Sequence, residues 1–312
     1  MNLELPSEPS PITSSFRAGY VTIIGEPNVG KSTLMNTLLQ QKISIVTHKP
    51  QTTRHKVLGI LSTESCQAVF LDTPGIIKPK YLLHEVMMQF ADSAIADADI
   101  LLFMIDATEP KTGSDLTHAE AFRRLQGIAR PVFLVINKVD AVEKASVLPV
   151  IDFYARAFPF REIFPISALH AENTTEMLNA LTPLLPLHPP YYPLDIVSEQ
   201  SERFFVGEII REKIFVVCRE EVPYSATVDV IEFKEREGGK TFIGAEIYVE
   251  RESQKGILIG KQGAMLKTIG ARARRDIETF LGHPVVLDLH VKVRPWREDE
   301  SWLARLGYTP RS

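Results

Sequence analysis

The sequence contains few cysteines, no long uncharged apolar run and little net charge. Its two cysteines, Cys66 and Cys218, are far apart and near no histidine cluster, which argues against a disulfide framework or a zinc site and favours two buried thiols. No segment approaches the roughly 18 uncharged apolar residues needed to cross a bilayer. The first twenty residues lack the basic start and apolar centre of a secretory signal. We therefore expect a cytoplasmic protein.

The small net charge of −4 over 312 residues argues against wholesale electrostatic capture of nucleic acid. A chain average can nevertheless conceal a local patch. Between Lys255 and Arg297 the chain has nine basic and three acidic residues, an excess of six positive charges. A binding surface for an anionic partner is therefore expected in this region.

A proline-rich stretch divides the chain. Residues 183–193, PLLPLHPPYYP, contain five prolines, which favour an extended and fairly stiff backbone. We predict a first domain over residues 16–186, a linker over 187–200 and a second domain over 201–312. Residues 1–15 are rich in serine and proline and are predicted to be a disordered lead-in.

The two domains have different patterns of apolar residues. In the first, strand-like runs alternate with helix-length segments, which predicts an α/β fold with a mostly parallel sheet covered on both faces. These runs are residues 20–25, 68–72, 99–106, 130–138 and 162–167.

The second domain is predicted to be a smaller α+β unit. Val206, Ile210, Ile214 and Val217 recur at helical spacing. The predicted order is helix, strand, strand, two helices around Gly260 to Gly263, strand and a terminal amphipathic helix. The strands are expected at about 224–235, 241–251 and 285–294, and the last helix over 296–308.

Residues 25–32, GEPNVGKS, match the phosphate-loop pattern G-x-x-x-x-G-K-[ST] and lie between an apolar strand and a helical segment. Gly25 and Gly30 let the backbone approach phosphate oxygens, and the following helix presents its positive end. Lys31 is expected to reach the β- and γ-phosphates, and the Ser32 hydroxyl to bind Mg²⁺.

A second motif, DTPG at residues 72–75, follows its own strand. Asp72 is expected in the Mg²⁺ shell through water, and the Gly75 amide is expected to face the γ-phosphate. Either group alone also suits an ordinary polar turn. Their position at a strand end, where open α/β sheets bind ligands, favours the functional interpretation.

NKVD at residues 137–140 predicts guanine selectivity. Asp140 can accept both guanine N1–H and the exocyclic amine, a pairing that adenine cannot satisfy. Asn137 is expected to brace the loop and contact the base, and the Lys138 stem to cover the face of the base. In SAL at 167–169 the Ala168 amide is expected near guanine O6.

These motifs resemble the five-motif set of translation-factor-type GTPases, with QTTR at 51–54 as the switch I element. Thr53, with Thr52 as the alternative, would bind Mg²⁺ when a γ-phosphate is present. Ile76 stands where Ras-like enzymes place a water-orienting glutamine, so unaided turnover is expected to be slow. Asn28 resembles the loop asparagine of potassium-activated GTPases and suggests K⁺ stimulation, although a simple turn residue is an equal alternative.

The motifs together define a set of candidate residues. The predicted nucleotide site contains Gly25, Asn28, Val29, Gly30, Lys31, Ser32, Thr33, Asp72, Thr73, Pro74, Gly75, Asn137, Lys138, Asp140, Ser167, Ala168 and Leu169. Within this region Lys31, Thr53, Asp72 and Gly75 are predicted to act in catalysis, and Ser32, Thr53 and Asp72 to hold Mg²⁺.

A second glycine-rich stretch, GKQG at residues 260–263, lacks the lysine–serine or lysine–threonine pair of a phosphate loop. Between two helices in the predicted element order, it resembles the G-x-x-G loop of a type II KH domain. Such a loop admits the backbone of single-stranded RNA. The predicted RNA contacts are Ile257, Gly260, Lys261, Gln262, Gly263, Lys267, Arg272 and Arg275, with Leu258 and Ile259 considered for the same apolar groove.

Both domains in this order resemble the Era family over about residues 16–308. The resemblance implies a GTPase, using GTP, GDP and Mg²⁺, that binds the 3′ end of small-subunit (16S) ribosomal RNA and acts in assembly of the 30S particle. It further implies a monomer in the cytoplasm with peripheral association at the inner membrane.

Three alternative interpretations were compared with this resemblance. A non-hydrolysing RNA-binding scaffold with a regulatory nucleotide site remains open until phosphate release is measured. An EngA-like ribosomal GTPase would carry two GTPase domains in tandem, whereas this chain has one phosphate loop. A tRNA-modification GTPase would carry a reactive C-terminal cysteine, which this sequence lacks.

Overall fold

The computed structural model describes residues 15–236 and 240–308. The predicted lead-in over 1–15 lies outside the described residues except for Ser15. The first domain is built on six strands. They are β1 (Arg17–Gly25), β2 (Val57–Ser62), β3 (Cys66–Asp72), β4 (Ile100–Asp106), β5 (Val132–Asn137) and β6 (Glu162–Pro165).

The strands form one sheet in the order β2-β3-β1-β4-β5-β6. All neighbouring pairs are parallel except β2 with β3, which are antiparallel. The predicted mostly parallel α/β sheet is thus confirmed. The sequence did not predict the edge strand β2, because its short apolar run is interrupted by Gly59.

Six helices cover the two faces of this sheet. α1 and α6 pack on one face through Leu34, Met35 and Met177. On the other face pack the helices α2 to α5, through Met87, Leu116, Phe122 and Val150. Their bounds are α1 (Lys31–Leu39), α2 (Leu82–Asp97), α3 (Gly113–His118), α4 (Glu120–Arg123), α5 (Lys144–Ala157) and α6 (Thr174–Leu181).

Within its described residues, the second domain contains a three-stranded sheet and five α-helices. Its elements are α7 (Glu202–Val217), α8 (Val222–Ser225), β7 (Thr227–Arg236), β8 (Lys240–Val249), α9 (Glu252–Ile259), α10 (Ala264–Leu281), β9 (Val285–Val293) and α11 (Glu300–Arg305). β7 and β8 are antiparallel, and β8 and β9 are parallel. The predicted spacing of α7 is confirmed, since Val206, Ile210 and Ile214 are fully buried in the core with α9 and α10.

Two predicted boundaries in this domain were wrong. The strand expected from 224 begins at Thr227, because the one-turn helix α8 occupies the preceding residues and has Pro223 in its first turn, where a missing N–H costs little. The terminal helix is limited to α11. Trp296 is fully buried in the segment before this helix, and Asp299 caps the helix by accepting from the Trp302 amide.

The predicted linker over 187–200 lies against the first domain. The buried Gln67 side chain holds it by accepting from the amides of Tyr191 and Tyr192 and donating to the Tyr192 carbonyl. Further along, the Val197 carbonyl accepts from the Ile60 amide at 2.8 Å. The linker therefore runs beside edge strand β2.

The two domains share an apolar contact. Tyr248, Trp296, Leu303 and Tyr308 of the second domain belong to the same buried cluster as α2 of the first. Among residues 15–236 and 240–308, no helix combines the length and apolarity needed to cross a membrane.

Candidate functional site

A cavity of about 700 Å³ lies where β1, β3 and β5 end at their carboxyl edge, which is where open α/β sheets bind ligands. Its volume falls in the range of small-molecule sites. The predicted residues that line it are Asn28, Gly30, Lys31, Ser32, Thr33, Thr53, Gly75, Asn137, Lys138, Asp140 and Leu169.

The loop of residues 25–30 needs glycine at both ends. Gly25 has φ 157° and Gly30 has φ 101°. A Cβ on Gly25 would lie 2.3 Å from the Met104 carbonyl oxygen, and one on Gly30 would lie 2.2 Å from Asn137 Nδ2. Helix α1 begins at the next residue, so its free amides and positive end face the cavity.

Lys31 is buried within the phosphate loop. Its Nζ donates to the carbonyls of Gly25 at 3.2 Å and Glu26 at 2.8 Å. Burial lowers the pKa of Lys31 to about 8, against the opposing charges of Asp72 and Glu26. The ammonium is thus poised beside the cavity, where bound phosphate would favour its charged form.

Three oxygen-bearing side chains converge at the start of α1. The Ser32 hydroxyl donates to Asp72 Oδ2 at 2.6 Å and lies 2.9 Å from Thr53 Oγ1. Asp72 is fully buried, burial raises its pKa, and its Oδ1 has no hydrogen-bond partner among the described residues. Two hydroxyls and a carboxylate are hard oxygen donors of the kind that Mg²⁺ prefers, so the residues fit this ion.

Asn137 links the phosphate loop to the SAL loop. Its Nδ2 donates to the Val29 carbonyl at 2.8 Å, and its Oδ1 accepts from the Ala168 amide at 2.9 Å. The bracing expected of Asn137 is therefore present. A contact between the Ala168 amide and guanine O6 would require that amide to be shared with Asn137.

The remaining NKVD residues lie at the same edge. Lys138 adopts φ 66°, and its ammonium pairs with the Asp106 carboxylate. The Asp140 side chain lines the cavity and is 27% exposed, with the His170 Nε2 atom 3.9 Å from its Oδ2. Leu169 is 72% exposed at the rim.

The DTPG segment packs tightly under the phosphate loop. The Thr73 hydroxyl donates to the Ile23 carbonyl at 2.8 Å. A Cβ on Gly75 would lie 2.8 Å from atoms of Pro27, so only glycine fits this approach. Ile76 is 3% exposed, and its amide donates to the Gly25 carbonyl at 3.1 Å. Its side chain is thus in the core and is not available to orient water.

Asn28 links the phosphate loop to the switch I loop, residues 48–55, which contain the QTTR element. It adopts φ 66°, and its Nδ2 donates to the His48 carbonyl at 3.1 Å. A turn conformation and a contact with switch I are therefore both present at this position.

Switch I contacts the second domain along most of its length, a feature that the motifs did not predict. Lys49 donates to the carbonyls of Phe215 and Cys218 at the end of α7. Arg54 donates to the carbonyls of Pro223, Tyr224 and Ala226. Two further contacts join Thr52 to Arg211 and His55 to Tyr308.

The GKQG loop joins α9 to α10, as predicted. Gly260 has φ 70°, and a Cβ there would lie 2.7 Å from Met265 Cβ. Lys261 and Gln262 are exposed at the tip. Of the apolar residues before the loop, Ile257 is 47% exposed whereas Leu258 is fully buried in the core. Leu258 therefore takes the core position that was the alternative to a place in the groove.

A basic stripe continues from the loop along α10. Lys267, Arg272 and Arg275 are exposed and lie opposite the core-facing side of this helix. Across the described parts of the chain, no ion pair involves these three cations. Arg274, by contrast, pairs with Glu278 at 3.3 Å. The stripe thus offers unpaired positive charge to an anionic ligand.

Comparison with known protein families identifies two domains. Residues 20–138 match the family described as 50S ribosome-binding GTPase, and residues 221–297 match the KH domain. The chain is 48% identical over 299 residues to GTPase Era of Lacticaseibacillus paracasei, covering 96% of this chain and 99% of the relative. It is 50% identical to GTPase Era of Geobacter metallireducens, covering 94% and 98%.

Two solved structures match nearly the whole fold. One is a point variant of Era from Aquifex aeolicus bound to GDP·AlF4⁻, with TM-score 0.89 and 42% identity. The other is Era in complex with MgGDPNP and nucleotides 1506–1542 of 16S ribosomal RNA, with TM-score 0.89 and 40% identity. Each match covers 95% of this chain and 100% of the solved chain. With identity at this level across both domains, the chain belongs to the Era family of GTPases.

Proposed function

We propose that this protein binds GTP with Mg²⁺, hydrolyses it, and binds the 3′ end of 16S ribosomal RNA through its second domain. The observation that carries the proposal is the convergence of the Ser32, Thr53 and Asp72 oxygens beside the phosphate loop. The Era complex that contains both MgGDPNP and a 16S ribosomal RNA fragment supports the pairing of the two ligands.

Hydrolysis in this site relies on positioning and charge. Lys31 would neutralise charge on the β- and γ-phosphates, and the Gly75 amide would face the γ-phosphate. Ser32, Thr53 and Asp72 would hold Mg²⁺, which supplies a positive charge to the phosphate oxygens when bound. None of the motif residues proposed to face the γ-phosphate is an obvious general base, and the cavity lining adds His48, whose carbonyl accepts from Asn28. Slow intrinsic turnover follows from that and from the burial of Ile76.

The GTPase family description names the 50S subunit, whereas the solved Era complex contains 16S ribosomal RNA. The family description covers residues 20–138 of the first domain only. The Era complex resembles this chain over both domains, including the RNA-binding one. We therefore assign the RNA partner to the small subunit.

K⁺ is proposed as a second cation at the Asn28 position. Asn28 Nδ2 donates to a switch I carbonyl, which leaves its Oδ1 as an available acceptor for a cation. K⁺ would then add positive charge where Ile76 supplies no polar group. Equal hydrolysis rates in KCl and NaCl at matched ionic strength would remove this cation from the mechanism.

The domain division and cellular role follow the family resemblance. We propose a nucleotide domain over 16–186, a linker over 187–200 and an RNA-binding domain over 201–312. We further propose a monomer that acts in 30S assembly in the cytoplasm, with peripheral contact at the inner membrane. Contacts of Lys49 and Arg54 with the second domain support a switch in which bound nucleotide sets the orientation of the RNA-binding domain.

Phosphate release from GTP, measured with and without the 16S ribosomal RNA fragment, tests the enzymatic half. Lys31→Ala is expected to abolish release, and Lys144→Ala, an exposed residue at the start of α5, serves as its control. Release by the parent protein no faster than by Lys31→Ala would favour a non-hydrolysing scaffold.

Crosslinking in cells followed by sequencing tests the RNA-binding half. The parent is expected to recover the 3′ end of 16S ribosomal RNA, and Lys261→Asp/Gln262→Asp is expected to lose it. Diffuse recovery that this change leaves unaltered would reject the RNA assignment without touching the GTPase assignment.

A further inference from the structure

We propose that Arg211, in the second domain, is a positioning residue for the Mg²⁺ site of the first. Its guanidinium holds the Thr52 carbonyl and thereby sets the orientation of Thr53. The inference rests on the proposed binding of GTP and Mg²⁺, and it identifies a residue outside the GTPase motifs on which that site depends.

Arg211 is itself rigidly held. It is 1% exposed on α7, and its Nη2 donates to the Thr52 carbonyl oxygen at 2.5 Å. Glu208, one turn earlier, accepts from Nε at 2.7 Å and from Nη2 at 2.5 Å. This two-point ion pair fixes the plane of the guanidinium. The donor presented to switch I is therefore preorganised.

The contact is made one residue before the proposed Mg²⁺ ligand. The Thr52 carbonyl belongs to the same rigid peptide plane as the Thr53 amide, so holding one orients the other. In this arrangement Thr53 is buried, with Oγ1 2.9 Å from Ser32 Oγ and 3.5 Å from Asp72 Oδ2. The conformation that reaches Arg211 is thus also the one that completes the oxygen cluster.

Because Arg211 is buried, loss of its hydrogen bond to the Thr52 carbonyl would be costly. The Arg211 Nη1 has no hydrogen-bond partner among the described residues, so this buried cation depends on Glu208 and Thr52 for its polar contacts. If switch I moved away, Arg211 would lose its acceptor from the first domain without leaving the interior. The second domain therefore favours the switch I conformation that suits a triphosphate.

The test compares affinities for GDP and for GDPNP with Mg²⁺ in the double variant Glu208→Gln/Arg211→Met, which removes the cation without stranding a buried carboxylate. We expect GDPNP affinity to fall about tenfold, as for loss of one hydrogen bond to a charged group. GDP affinity should change less than about twofold, because Thr53 binds Mg²⁺ only alongside a γ-phosphate. The Mg²⁺ concentration for half-maximal hydrolysis should rise.

A matched variant separates positioning from general damage. Arg203→Met, at an exposed arginine on the same helix, should retain the GDPNP preference of the parent. If thermal melting shows that the double variant does not fold, the same affinities are measured in Arg211→Lys, which keeps the positive charge.

A folded variant with the parent's GDPNP-to-GDP affinity ratio and Mg²⁺ dependence would overturn the role of Arg211. Equal losses of GDP and GDPNP affinity would also overturn it, since they indicate a general structural effect. Failure of the proposed function would be distinguishable, because the parent itself would then release no phosphate from GTP.

Discussion

His55 of switch I stacks on Tyr308 of the second domain, with ring centroids 4.2 Å apart and planes inclined by 16°. Burial in this contact lowers the pKa of His55 to about 4. The domain contact therefore encloses a neutral histidine.

Acid is expected to weaken this contact. The unfolded chain binds a proton at His55 near its ordinary pKa of 6.5, whereas the folded protein resists it until about 4. Stability is therefore fully present above about 6.5 and is lost as pH falls from there toward 4, by up to about 3 kcal/mol. Between pH 6.5 and pH 4, the melting temperature of His55→Phe should decrease less than that of the parent. His118→Gln, at an exposed histidine, should show the same decrease in melting temperature as the parent. If the melting temperatures of the parent and of His55→Phe changed equally with pH, His55 would not be the cause of the loss of stability.

Nucleotide affinity should fall as pH rises past the pKa of Lys31. That pKa is about 8 in the free protein because the ammonium is buried, and bound phosphate would raise it. Above about 8, binding must take up a proton, which weakens affinity by up to about tenfold per pH unit. Titrations one unit below and one unit above that pKa measure the effect. Lys31→Arg, which stays charged, should lose this dependence of nucleotide affinity on pH. If its affinity changed with pH as in the parent, the proton taken up would belong to another group.

Asp140→Asn should change base selectivity. The carboxylate can accept from guanine N1–H and from the amine, and losing these charge-assisted bonds should weaken GTP binding at least tenfold, at about 1.5–3 kcal/mol each. An asparagine amide can instead donate to the 2-oxo group of xanthine. Competition between GTP and xanthosine triphosphate measures the shift. Asp152→Asn, an exposed residue on α5, is the control, and an unaltered preference for GTP would place the guanine contact elsewhere.

RNA binding should depend on salt through the basic stripe of α10. Lys267, Arg272 and Arg275 are exposed cations, and each phosphate contact contributes about −0.7 to the slope of log affinity against log salt for single strands. Changing all three to glutamine should reduce that slope by about two. Arg156→Gln, on the exposed side of α5, should leave it unchanged. If the triple variant had the same slope of log affinity against log salt as the parent, the basic stripe would not contact phosphates.

The sequence predicts those structural features that depend on residues close together in the chain. Glycines at 25 and 30, the strands that precede the motifs and the core face of α7 follow from steric requirements and periodicity. Arg211 could not be predicted, because α7 has a second buried face against switch I that interrupts simple amphipathic spacing. The Lys49 and Arg54 contacts also depend on how two domains meet, which no local pattern specifies.

The linker attachment limits how far the second domain can travel. The Ser198 hydroxyl donates to the Leu58 carbonyl at 2.6 Å, and α7 begins at Glu202. At about 3.5 Å per residue, the intervening chain allows roughly 14 Å of reach. While this attachment holds, the start of α7 stays within about 14 Å of edge strand β2, so any reorientation of the second domain would pivot beside that strand.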